Sequence, residues 1–151
     1  MTTNAAASED SMNREILDAF GDFAKQFGAI SQSIAAGFGA APSDLVALFK
    51  IDGALPMKDL AQRMGCDASF ITAVADALER HGLARREPAE HDRRVKMLVL
   101  TPEGIAAKER LMRELATKMP WCTRLDDSER SCFLSLLRKM TATCPAADTT
   151  G

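Results

Sequence analysis

The side chains best suited to chemistry are few in this 151-residue chain, and their spacing argues for binding rather than catalysis. The only histidines, His81 and His91, and the four cysteines, Cys66, Cys122, Cys132 and Cys144, lie too far apart for a zinc site, which favours close pairs. There is no glycine-rich phosphate loop and no H-E-x-x-H pattern, and two histidines are a poor supply for a nucleophilic triad. The acidic pair Asp126-Asp127 reads as a helix start. No enzyme activity, metal or cofactor is therefore expected. Two other groups stand out. Ser69 and Thr72, three residues apart, put small hydroxyls on one side of a helix, where they can hydrogen-bond to a ligand surface. The run from Arg80 to Lys96 holds Arg80, Arg85, Arg86, Arg93, Arg94 and Lys96 against Glu87, Glu90 and Asp92, a local excess of cations suited to a polyanion. The plainer reading of such a run is a solvated loop.

The rest of the chain must position these groups. Its 46% hydrophobic and 26% charged residues fit one globular domain with a buried core. The formal charge of −2 is unevenly spread: residues 1–56 carry three basic and seven acidic side chains, whereas residues 57–101 carry eight and seven. No apolar run approaches the roughly 18 residues of a membrane span. The opening Met1 to Met12 has no basic residue and holds Glu9 and Asp10, unlike a secretion signal, so a cytoplasmic protein with reduced thiols is expected.

Apolar residues at Ile16, Phe20, Phe23, Phe27, Ile30, Ile34 and Phe38 alternate steps of three and four, the stripe of one long amphipathic helix. Such an aromatic stripe packs either across the core or on a second chain, and the second chain is the expectation. Gly37, Gly39 and Pro42 end this helix. A short buried helix follows over Leu45 to Ile51, then another over Met57 to Met64, closed by Gly65. From Ala68 to His81, Ile71, Val74, Ala75 and Leu78 form one apolar face, leaving Ser69, Phe70, Thr72, Ala73 and Asp76 to look elsewhere. His81 is read as a capping or surface residue before Gly82. Two β-prone runs, Leu83 to Glu87 and Val95 to Leu100, flank a charged tip at Pro88 to Arg94 and read as an antiparallel hairpin. Thr101-Pro102-Glu103 opens a helix that Pro120 ends or kinks, and the capping box Asp126-x-x-Glu129 starts the last one.

Two short helices joined by a tight turn, followed at once by a hairpin with a basic tip, describe a winged helix-turn-helix. The expected class is mainly α with a small β-hairpin wing. A helix fits the major groove of DNA, so the second helix can offer base-edge contacts from Ser69 and Thr72 while the tip reaches along the backbone. The run Met57-Lys-Asp-Leu-Ala-Gln-Arg-Met-Gly65, then Ser69-x-x-Thr72, Asp76-x-Leu78-Glu79-Arg80-x-Gly82-Leu83, Arg85-Arg86, Asp92-Arg93-Arg94 and Leu98-x-Leu100-Thr101-x-x-Gly104 resembles the MarR family of bacterial transcription regulators. The resemblance spans roughly residues 45–118.

It implies a homodimer on double-stranded DNA, binding a pseudo-palindromic operator. It also implies a division into a tail (1–11), an N-terminal dimerisation helix (12–40), a DNA-binding winged helix-turn-helix (41–101), C-terminal dimerisation helices (102–143) and a second tail (144–151). By position, family DNA contacts fall on Asp67, Ser69, Phe70, Thr72 and Ala73. In the wing, Asp92 and Arg94 are similar to a pair that braces the hairpin and sends an arginine into the minor groove, and Arg93 is an equal candidate for that contact. The chain departs from the family in carrying Ala73 and Ala77 where basic residues are frequent, and Pro56 in place of a capping Ser or Thr. Fewer cations imply a shallower salt dependence of binding. The family's small aromatic or phenolic effectors imply a crevice here lined by Phe20, Phe23, Phe27, Phe38, Phe49 and Met57, although an aromatic stripe can equally be plain core. Peroxide sensing of the family type uses an N-terminal cysteine held by tyrosines, and this chain has no cysteine before Cys66 and no tyrosine. Cys66 is read as a packing residue. The alternative to operator binding is a ligand-independent or protein-interaction winged-helix module with weak DNA binding.

Overall fold

A computed structural model describes residues 3–142, and side chains from residue 9 onward. Helix α1 spans Thr3–Phe38, so it begins inside the stretch expected to be a tail. The reason is propensity: the Ala5–Ala7 run and the absence of Gly or Pro before Gly21 favour helix, and an apolar stripe is not required for the first turns. The second expected tail, with Cys144, lies outside the described residues.

Only the C-terminal half of α1 enters the core, through Ile34 and Ala35. Gly39, at φ 63°, ends the helix in the left-handed region. Helix α2, Pro42–Lys50, starts with proline at its first position, and the buried Asp44 carboxylate accepts the Ala41 N–H at 3.0 Å. Leu45, Ala47 and Leu48 of α2, with Ile51 just beyond it, form the floor of the core.

Strand β1, Ala54–Pro56, was not anticipated from the sequence. It joins β2, Ala84–Pro88, and β3, Lys96–Leu100, in an antiparallel sheet of order β1-β3-β2, so the expected two-stranded hairpin is a three-stranded sheet. Three residues leave no periodicity to read. Pairing defines this strand: Leu55 stands opposite Leu98, and both are buried.

Helices α3, Met57–Met64, and α4, Ala68–Arg80, form the helix-turn-helix. Gly65 sits in the turn at φ 63°. Leu60, Ile71 and Leu78 face inward with Leu48, Ile51 and Leu98, each at 1% exposure or less. His81 caps the carbonyl end of α4, its Nδ1 2.8 Å from the Ala77 carbonyl, as its sequence position suggests.

Helix α5, Pro102–Lys118, is locked to the lobe at its first turn. Thr101 Oγ1 accepts the Gly104 N–H at 3.0 Å and donates to the Gly82 carbonyl at 2.6 Å. A Cβ on Gly104 would lie 1.8 Å from the Leu83 carbonyl oxygen, so only glycine fits. Pro120 then restarts the chain as a single turn, α6, Pro120–Thr123, before α7, Asp127–Thr141. The capping box that the sequence predicts is formed at Asp126 and Glu129, with both hydrogen bonds at 2.9 Å. Helix α7 has no buried residue. Among the described residues no helix is long and apolar enough to cross a membrane, and no group of His, Cys, Asp and Glu could hold a metal ion.

Candidate nucleic-acid interface

Helix α4 buries Ile71, Val74, Ala75, Ala77 and Leu78, which leaves Ser69, Phe70, Thr72, Ala73 and Asp76 exposed on the face that the sequence pattern predicts. Its N-terminus is organised by Asp67. The Asp67 carboxylate accepts the Ser69 hydroxyl at 2.6 Å and the Phe70 N–H at 2.8 Å, and these two bonds, the hydroxyl's first, hold its pKa below the usual aspartate value. The Asp67 oxygen that accepts both bonds, Oδ1, thus serves the helix cap, although position in the chain assigned this residue to DNA. Thr72 Oγ1 donates to the Ala68 carbonyl at 2.9 Å. Both hydroxyls therefore spend their proton on the protein and present acceptor lone pairs outward, a match for the amino groups that adenine and cytosine expose in the major groove.

The wing tip is built by backbone hydrogen bonds. Ala89 N–H donates to the Val95 carbonyl and Val95 N–H to the Asp92 carbonyl, each at 2.9 Å. The Asp92 side chain accepts the Arg94 backbone N–H, also at 2.9 Å. Asp92 thus braces the tip through the main chain, and the Arg94 guanidinium is left without a carboxylate partner among the described residues, as are Arg93 and Lys96. Arg94 and Lys96 border a concavity of about 560 Å³ whose opposite walls are Lys58, Met57 and Asp59 of α3 and Ala68, Ile71 and Thr72 of α4. Thr72 and Arg94 converge there. Lys58 and Lys96 join them, although the sequence reading did not single them out as contacts. Arg93 stays at the tip, exposed and outside this hollow, and Ser69, Phe70 and Ala73 lie on the open face beside it.

Two other arginines of the basic run, Arg85 and Arg86, are held by carboxylates of their own chain. Arg85 pairs with Glu87 along β2. Arg86 pairs with Asp76 at 2.7 Å and with Glu79, donates to the Thr72 carbonyl at 3.0 Å, and gives its backbone N–H to Glu79 at 2.8 Å. Counting charges along the chain could not separate these bound cations from the free ones at the tip.

Residues 42–96 match the MarR family model. Over this segment, about a third of its length, the chain is similar to the MarR family. Over 87 residues, 57% of the chain, it is 33% identical to a protein of Thauera aromatica named as a putative transcriptional regulatory protein for the hcr operon, 52% of which is covered. Over 68 residues, 44% of the chain, it is 40% identical to the HTH-type transcriptional repressor MdtR of Bacillus subtilis, covering 44% of that protein. The match thus spans about half the length of these curated relatives. In three dimensions the chain superposes on a MarR mutant from E. coli solved in complex with operator DNA, with a TM-score of 0.70 at 17% identity, covering 84% of this chain and 94% of that one. At that identity the likeness concerns the fold, the winged helix shared by MarR-family regulators.

The six side chains expected to line an effector crevice do not come together in the MarR-family fold. Phe27 and Phe49 do, in an apolar crevice of about 330 Å³ between α1, α2, α5 and α6, alongside Ile34, Leu45, Val46, Leu115 and Trp121. Phe23 stacks beside Phe27 and lines a neighbouring hollow with Trp121, Phe133 and Leu137. Phe20 is 66% exposed farther up α1. Phe38 lies under the Arg110 guanidinium, 4.2 Å from its ring centre. Met57 is on the wing side. The stripe of α1 covers more than 30 Å of helix, too long for one crevice to gather. Trp121, a crevice wall absent from the sequence reading, follows the proline that restarts the chain. Cys66 is half-buried against the core, its Sγ 3.8 Å from the Ala61 carbonyl, in keeping with a packing role. Cys122 is also half-buried, and Cys132 is exposed.

Proposed function

We propose that the chain is a homodimeric transcriptional repressor of the cytoplasm that binds a pseudo-palindromic operator, and that it is not an enzyme. In this reading α4 of each protomer enters the major groove, with Ser69, Phe70, Thr72 and Ala73 toward the bases and Asp67 holding the helix start, while Arg93 and Arg94 of the wing reach the adjacent minor groove. The observation that carries it is the convergence of the Thr72 face with Arg94, Lys58 and Lys96 around one hollow, cations and base-reading groups on the same side of the lobe. Shape supports it too, since the MarR mutant of the same fold was solved on operator DNA.

Dimerisation is supported by apolar surface with nothing of its own chain to cover it. Met12, Ile16, Leu17 and Phe20 on α1 are each at least 59% exposed, and Leu136 and Met140 on α7 are 52% and 72% exposed. Faces of this kind mark a protein contact. A small aromatic or phenolic effector fits the crevice under Phe27, Phe49 and Trp121, between the long helices and the winged lobe, where an occupant would alter the spacing of the two lobes.

A gel-shift titration with the DNA immediately upstream of the gene tests the reading. A discrete complex that survives excess unrelated DNA at moderate salt is expected. Retardation that unrelated DNA abolishes equally would overturn it in favour of a protein-interaction module.

A further inference from the structure

The proposed recognition helix has the wrong charge for its task. Along α4 the charged side chains are Asp76, Glu79 and Arg80, and Asp67 caps its start, so carboxylates outnumber cations on a surface meant to meet phosphates. Asp76 is 61% exposed and lies one turn beyond Thr72 and Ala73 on the same outward face. Left alone, it would repel the backbone at close range.

Arg86 answers both problems from outside the helix. Its side chain is 23% exposed, and the guanidinium lies along α4 from the Thr72 carbonyl to Asp76 and Glu79, contacting two successive turns. Its own backbone N–H on β2 also bonds to Glu79, at 2.8 Å. One residue of the wing strand thus holds the middle of the helix by main chain and side chain together. Arginine suits the position because its planar fork can serve a carbonyl and two carboxylates at once, which a lysine cannot do.

We propose that Arg86 is a positioning residue for DNA binding: it cancels the carboxylates of α4 and fixes that helix to the wing, so operator affinity depends on an arginine that touches no DNA. This rests on the DNA-binding reading above. It differs from a phosphate contact, whose loss would lower the salt slope of binding by about one. It also differs from a merely structural brace, whose loss would not be repaired by deleting the carboxylates.

The test is fluorescence anisotropy, over a salt series, with a duplex of the gene's upstream DNA and a scrambled duplex of equal length. Wild type is compared with Arg86→Ala, Arg86→Lys and the triple variant Asp76→Asn/Glu79→Gln/Arg86→Ala. Arg86→Ala should lose about tenfold in affinity for the upstream duplex with its salt slope unchanged, a loss typical of removing one partner of a charged pair. Arg86→Lys should restore a minority of that loss, and the triple variant most of it. Unchanged affinity in Arg86→Ala, a slope reduced by about one, or a triple variant as weak as the single would each overturn the proposal. Should Arg86→Ala not fold, the triple variant and Arg86→Lys still decide it: a folded triple variant at least tenfold weaker than wild type rejects it. Failure of wild type itself to prefer the upstream duplex would instead reject the DNA-binding reading.

Discussion

The winged lobe and the two outer helices expose their side chains in opposite ways. In the lobe, exposed groups stand on a close-packed base: Leu48, Leu60, Leu78 and Leu98 are fully buried beneath them. Hydrogen bonds within the lobe fix Asp67, Ser69, Thr72 and Asp92. The outer helices expose large apolar side chains among their polar ones, and α7 buries none of its own residues. The aromatic cluster of Phe23, Phe27, Trp121 and Phe133, with ring centres about 6 Å apart, ties α7 back to α1. A surface that is to read a rigid polyanion needs its polar groups held before the partner arrives, whereas an apolar face is completed by whatever covers it. The lobe holds its polar surface with its own chain, and the outer helices leave large apolar side chains uncovered.

Core truncation should separate the two regions most sharply. Leu78→Ala, beneath α4, is expected to cost about 3–4 kcal/mol in urea unfolding at any protein concentration, because the cavity cannot be refilled. A loss below about 1 kcal/mol would mean the lobe is looser than its packing indicates. Gly104→Ala comes next, at about 2–3 kcal/mol, since a methyl group directed at the Leu83 carbonyl forces α5 away from the lobe. The same melts would show it, and a neutral result would remove the close approach as the reason for glycine there.

On the outer helices the expected effect is on assembly. Phe20→Glu combined with Met140→Glu should leave circular dichroism unchanged and convert a dimeric sedimentation profile to a monomeric one. A profile that does not respond would place the proposed contact elsewhere. Back on the lobe, Arg94→Ala should weaken binding to the upstream duplex about tenfold, lower the salt slope by about one, and leave the melting temperature within about 1 °C. A joint fall in affinity and melting temperature would make the arginine structural.

The smallest effect concerns pH. The Ser69 hydroxyl and the Phe70 N–H lower the pKa of Asp67 in the folded state, so its stabilising contribution is complete above the ordinary value of 3.8 and fades as pH falls through the folded value. Asp67→Ala should therefore melt below wild type at neutral pH, and the gap should narrow in acid. Asp52, lowered by its hydrogen bond to Lys108 and by that cation's charge, follows the same direction. A gap that widens in acid would contradict the cap.

Much of the lobe was legible in the residues. Periodicity alone separates the buried from the exposed face of α4, and the glycines at 65 and 82 mark its limits, because a helix against a core must repeat its apolar residues every three or four positions. The helix starts at Thr101 and Asp126 were equally readable, since a cap is satisfied within three residues of itself. The aromatic stripe of α1 was visible as well, but not its partition: Phe27 goes to the crevice, Phe38 goes under Arg110, and Phe20 faces outward.

By itself the sequence determined whatever is settled between near neighbours: helix faces, caps, turns and the cationic tip. The tertiary structure decided what depends on residues far apart in the chain. It made a strand of Ala54–Pro56 by laying it against β3. It sorted the basic run into Arg85 and Arg86, which are consumed by carboxylates, and Arg93 and Arg94, which are not. Charge and β-pairing act through space, and only folding brings Asp76 and Glu79 within reach of Arg86.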